Sequence, residues 1–234
     1  MAAVPVDVAA RHDEAVPPRA DSTGTPRVRL GIETISDVVF GLALEIGSIS
    51  IVAKLPQTAT DLTTEIVEFG FSFVVVFMAW FSYRRAVVAL PYETPRTLIV
   101  NVALLFCVSI EPFLFYVLVT APGNVGEAAP VAFALDIGAT MLLLSLFTYL
   151  LLEEERKAPQ RRVHPAILRQ MRVGGIGRAV VAVAFFVSAL PVFGLPGPLG
   201  QPIREDVWVI GLVLFIIVQR GGLVFSSRSS SVGT

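Results

Sequence analysis

The chain has 234 residues, 54% of them hydrophobic and 16% charged, with a mean hydropathy of +0.73. Those values exclude an ordinary soluble domain and describe a chain that crosses a membrane several times. The net charge of −1 gives no sign of a nucleic-acid partner. The single Cys107 leaves no disulfide framework or zinc site within the chain, and it reads as a small lipid-buried hydrophobe.

Residues 1–28 hold Pro5, Pro17, Pro18 and Pro26 among scattered charges, without a sustained apolar run. They read as a disordered cytoplasmic tail and not as a signal peptide. The first apolar stretch, about 30–52, is long enough at ~1.5 Å per residue to cross a hydrocarbon core of roughly 30 Å. It nevertheless carries Asp37 and Glu45. A carboxylate at mid-membrane costs about 2.5–3.5 kcal/mol on insertion scales, so such groups face a bundle interior or a wet cavity. Asp37, Gly41, Glu45 and Ser48 share one face of a helix by their spacing.

Five further spans are expected at about 66–90, 95–120, 130–152, 176–194 and 207–225, with a short tail at 226–234. The longest connection, 153–175, is rich in Arg, and its part from Val163 to Met171 has the character of a short amphipathic surface helix. With six spans and a cytoplasmic amino terminus, every Lys and Arg except Lys54 and Arg204 falls on the inner side. The positive-inside rule therefore favours an all-α polytopic membrane protein of six transmembrane helices, both termini cytoplasmic. No convincing internal repeat supports a transporter built on inverted halves.

The first helix holds Glu33–Phe40 (ETISDVVF), which resembles the signature of the transmembrane protein 175 family of potassium channels, Arg-x-x-x-Phe-Ser-Asp. The likeness continues in Phe71-Ser72-Phe73 and in Trp80-Phe81-Ser82-Tyr83-Arg84-Arg85, which are similar to the family's second helix. Asn101 followed by Val108-Ser109-Ile110-Glu111-Pro112-Phe113 is similar to its third. The motif-bearing part covers about residues 31–115, and the last three helices match in hydropathy and position. The resemblance implies a homotetramer of six-helix subunits in a prokaryotic plasma membrane, with each first helix lining a central pore that passes K⁺. Its constriction would be Leu42, five residues after the aspartate, and helical spacing adds Val38, Glu45 and Ile49 to that stripe. Four converging isobutyl groups form a dry neck that ions pass only when it widens or wets.

The departures from the pattern are informative. The motif's Arg falls on Gly31, its Phe on Ile35 and its His pair on Tyr83 and Arg84. By the resemblance, Ser36, Asp37, Trp80, Arg84 and Asn101 form a polar network that pins the first helix, with Arg84 replacing the lost Arg. An ion pair suits Asp37, because an unpaired buried carboxylate is expelled or neutralised. Glu45 stands where the family usually has Thr. Four such carboxylates around an axis attract cations but cannot all ionise cheaply, so pH-sensitive conduction of K⁺, other monovalent cations or protons is expected. The alternative role is a protonated Glu45 hydrogen-bonded between helices.

Glu111 and Asp136 read as interhelical hydrogen-bonding groups, and Pro112 as a kink in its helix. Gly174, Gly175 and Gly177 lack the strand-turn-helix context of a phosphate loop and read as a flexible helix entry. Trp80 and Tyr83 also suit an interfacial aromatic belt. The run Glu153-Glu154-Glu155 followed by Arg156-Lys157 reads as a solvated helix end. Neither His12 nor His164 lies in a span, so neither a metal site nor an enzyme's catalytic site is expected, and no cofactor is implied. The readings that compete with a channel are a proton-coupled secondary transporter using Glu45, Asp37 or Asp136, and an assembly subunit without transport.

Overall fold

The computed structural model describes residues 26–53, 58–89, 94–120, 127–158, 163–197 and 202–229. The tail expected at 1–28 lies outside the described residues up to position 25, and the tail at 226–234 does so from position 230. The described residues form six long helices: α1 Pro26–Ala53, α2 Ala59–Ala89, α3 Pro95–Thr120, α4 Ala128–Lys157, α5 Pro165–Ser188 and α6 Ile203–Ser229. A single 3-10 turn, Pro191–Gly194, follows α5. Four helices, α2 to α5, are each long and apolar enough to cross a membrane. Their outward faces agree with that solvent: Ile99, Val102, Phe106 and Phe113 on α3, and Ile176, Val180 and Val183 on α5, are all at least 60% exposed. Water would oppose so continuous an apolar surface, whereas lipid chains accept it.

Local sequence explains where the helices begin. Thr58 and Asp61 cap α2 reciprocally, the Thr58 amide donating to Asp61 Oδ2 at 3.0 Å and the Asp61 amide to Thr58 Oγ1 at 3.1 Å. Thr94 and Thr97 open α3, which then continues through Pro112. His164 caps α5, its Nδ1 accepting from the Ala166 amide, with Pro165 in the first turn. As a result α5 starts well before the expected 176 and ends at Ser188, not 194. The stretch from Val163 to Met171 is no separate surface helix, because from Pro165 it is the first part of α5. The glycines at 174, 175 and 177 likewise lie inside α5; Gly175 is buried and its carbonyl accepts from Ser145 Oγ at 2.8 Å.

The bundle has two apolar cores. One is built by α1 to α4 around Phe40, Tyr83, Leu104, Leu144, Phe147 and Leu151. The other, at the opposite end, gathers Phe133, Ile137, Met141, Phe185, Trp208 and Phe215. Close approach of α4 and α5 requires Gly138, where an added Cβ would meet the Phe186 ring at 2.8 Å. The acidic end of α4 is only partly solvated. Lys157 pairs with Glu153 at 2.8 Å and Glu154 at 3.2 Å, and its hydrogen bond holds the Glu153 carboxyl below its ordinary value. Glu155, expected in water, is buried and accepts from the Val163 amide at 3.1 Å, just before α5 begins.

Candidate functional site

The polar groups of α1 divide between two faces. Ser36, Phe40, Ala43 and Gly47 turn into the helix bundle at i, i+4, i+7 and i+11, and all four are buried. Asp37 sits at the border of this face, where α2 reaches it. Asp37 Oδ1 accepts a hydrogen bond from Trp80 Nε1 at 3.0 Å, and Oδ2 pairs with Arg84 Nη1 at 3.0 Å. Trp80 and Arg84 are one helical turn apart on α2, so both reach the same carboxylate. The two side chains of the pair are 35% and 40% exposed, so water screens part of the attraction.

Ser36 is fully buried and shares a 2.8 Å hydrogen bond with the Tyr83 hydroxyl. The Tyr83 ring packs at 5.7 Å from Phe40 and stacks at 5.5 Å on Phe147 of α4. This tyrosine links α1, α2 and α4, whereas by sequence it also suited an interfacial aromatic belt. The signal was present: Tyr83 falls where the resembled motif has a histidine, a polar residue. Asn101 is buried on α3, and its Oδ1 has no hydrogen-bond partner.

Val38, Leu42, Glu45 and Ile49 lie on the other face. Val38 is 62%, Leu42 51% and Ile49 60% exposed, and Glu45 is exposed with them. Gly41 and Ser48 are exposed too, so of the face proposed from spacing only Asp37 reaches into the subunit. Ser48 Oγ turns back to the Glu45 carbonyl at 2.6 Å. The chain therefore holds α1 by Ser36 and Asp37 and presents a stripe containing Leu42 and Glu45 outward.

Two other carboxylates are interior. Glu111 accepts a hydrogen bond from Ser72 Oγ, joining α3 to α2. Asp136 on α4 meets the Cys107 thiol of α3, while its Oδ2 lacks a partner. Cys107 is therefore half-buried and engaged, not a plain lipid-facing hydrophobe. Among the described residues no group of three His, Cys, Asp or Glu side chains is placed to hold a metal ion.

Fold and surface together define an all-helical, multi-pass membrane protein whose first helix is tied to the second by a carboxylate–guanidinium–indole cluster. The family model described as endosomal/lysosomal potassium channel TMEM175 matches residues 31–112, the part that carries Ser36-Asp37, Trp80 and Asn101. Those residues are thus similar to TMEM175-family sequence. The fold is similar to a crystal structure of a variant of the potassium channel MtTMEM175 in complex with a nanobody-MBP fusion protein. That likeness has a TM-score of 0.52 at 16% identity and covers 86% of this chain and 93% of that one. No curated protein matches the chain by sequence.

Proposed function

We propose that this chain is one subunit of a K⁺-permeable cation channel, a homotetramer of six-span subunits with both termini cytoplasmic. The observation that carries the reading is the division of α1, inside the family-matching segment, into a face held by α2 and an exposed stripe of Val38, Leu42, Glu45 and Ile49. A lone carboxylate facing acyl chains is expensive, whereas a shared axis gives it water and cations. Rotational symmetry brings the same stripe from every subunit to one line. Leu42 is then the dry neck, and Glu45, about one turn away, is a ring that concentrates cations beside it.

Potassium flux from liposomes containing the purified protein tests the reading, with a current that rises linearly with driving force as the expected result. In its ionised form the Glu45 ring attracts cations, and protonation removes that attraction. Wild-type flux should therefore fall on acidification, by up to about tenfold. Glu45→Gln should sit at the low level across the same pH range. A variant profile that follows the wild type would remove Glu45 from the pore. A second reading, a proton-coupled carrier, draws on the buried Glu111 and the half-buried Asp136; saturating, proton-driven uptake by a monomer or dimer would favour it.

A further inference from the structure

Where α2 and α4 finish and α5 begins, a cavity of about 30 Å³ lies between the three helices, lined by Ser82, Arg85, Thr148, Gln170, Gly174 and Arg178 among others. Arg178 is only 4% exposed. Its Nη2 donates to Thr148 Oγ1 at 2.7 Å, and that hydroxyl in turn donates to the Leu144 carbonyl at 2.9 Å. Arg178 Nε has no partner, and neither do Gln170 Nε2 or Ser82 Oγ. The Arg85 guanidinium is close enough to repel that of Arg178. Among the described residues no carboxylate lines the cavity.

A guanidinium remains charged in a protein, and a buried charge without a counter-ion is among the most costly arrangements a fold can hold. Water would satisfy the hydrogen bonds but not the charge. Two guanidinium groups, a primary amide and a hydroxyl converging on one space form a donor set suited to an oxyanion, and the fork of Arg is matched to phosphate. The cavity has room for about two water-sized centres, that is, two oxygens of a phosphoryl group. Arg85, Gln170 and Gly174 are only half-buried, so the remainder of a larger molecule projects through the mouth.

We propose that this cavity binds a phosphate group, carried either by a lipid headgroup or by a soluble phosphate. The site is independent of the channel reading, since none of its residues lies on α1. The test is thermal unfolding of the full chain in a detergent with a neutral headgroup. The probes are short-chain phosphatidic acid, inorganic phosphate, short-chain phosphatidylcholine, and sodium chloride at matched ionic strength. A saturating phosphate probe should raise the melting temperature by about 3–5 °C, and chloride should not. A rise with inorganic phosphate assigns a soluble ligand; a rise with phosphatidic acid alone assigns a lipid, and either supports the site. Arg85→Gln should abolish the rise. Gln170→Glu supplies an internal carboxylate, so it should melt higher than wild type without ligand and no longer respond. An equal rise with chloride, no rise with either phosphate probe, or a Gln170→Glu protein that melts lower and still responds would each overturn the assignment.

Discussion

Replacing Asp37 with alanine is expected to lower the melting temperature by about 4–8 °C and to abolish ion flux. The substitution removes an acceptor from the Trp80 indole and a counter-charge from Arg84 at once. The half-exposed hydrogen bond from the Trp80 indole to the carboxylate contributes about 1 kcal/mol, and the half-exposed ion pair adds on the order of 1 kcal/mol after solvent screening. For a chain of this length, each kcal/mol corresponds to roughly 2–4 °C. Asp37→Asn keeps an acceptor for Trp80 and loses only the charge, so about half the shift is expected, together with disturbed assembly or conduction. Thermal unfolding of the single variants and of Asp37→Ala combined with Arg84→Ala measures the pair directly. Additive shifts would mean that the two groups do not act together. An Asp37→Asn protein that assembles and conducts like wild type would end the idea that this cluster holds a pore helix.

Leu42→Ala is expected to raise potassium flux about tenfold or more while leaving the fold intact. Leu42 is half-exposed in the subunit, so its truncation leaves no cavity in either core. In a tetramer the same change occurs four times around the axis and widens a neck made only of isobutyl groups. A barrier lower by about 1.4 kcal/mol passes ten times the current. Liposome flux compared at equal protein and equal driving force is the measurement. Unchanged flux, with wild-type unfolding, would mean that Leu42 faces lipid or another packing surface. Ala43→Leu is the contrasting control: Ala43 is 3% exposed beside Phe40, so overfilling there should cost about 1–3 kcal/mol of stability.

How far the sequence can be read depends on how local the physics is. Asp37 was legible as a paired group because an apolar span leaves a carboxylate few options, and Arg84 was the cation placed within reach by the family pattern. Leu42, Glu45, Val38 and Ile49 were legible as one stripe because helical spacing alone places them together. Tyr83 was misread, since an aromatic residue near a helix end satisfies either a belt or a buried hydroxyl bond. Its Ser36 partner lies 47 positions away. The start of α5 was misread for a different reason. Arg169, Gln170 and Arg172 set this stretch apart by hydropathy as a surface helix, yet they are good helix formers that run on into the span behind a His164–Pro165 start.

Composition and periodicity by themselves determined that this chain is helical and made for lipid, and that its first helix carries acids needing partners. Those properties belong to single residues and single helices, and hydrocarbon imposes them wherever the helix lies. Only the tertiary structure decided which side of α1 is held and which is left open, because that depends on Trp80, Tyr83 and Arg84 arriving from another helix. It alone brought Ser82, Arg85, Thr148, Gln170 and Arg178 from three helices around one space. A cavity rich in donors and poor in acceptors is a property of packing, and no spacing along the chain encodes it.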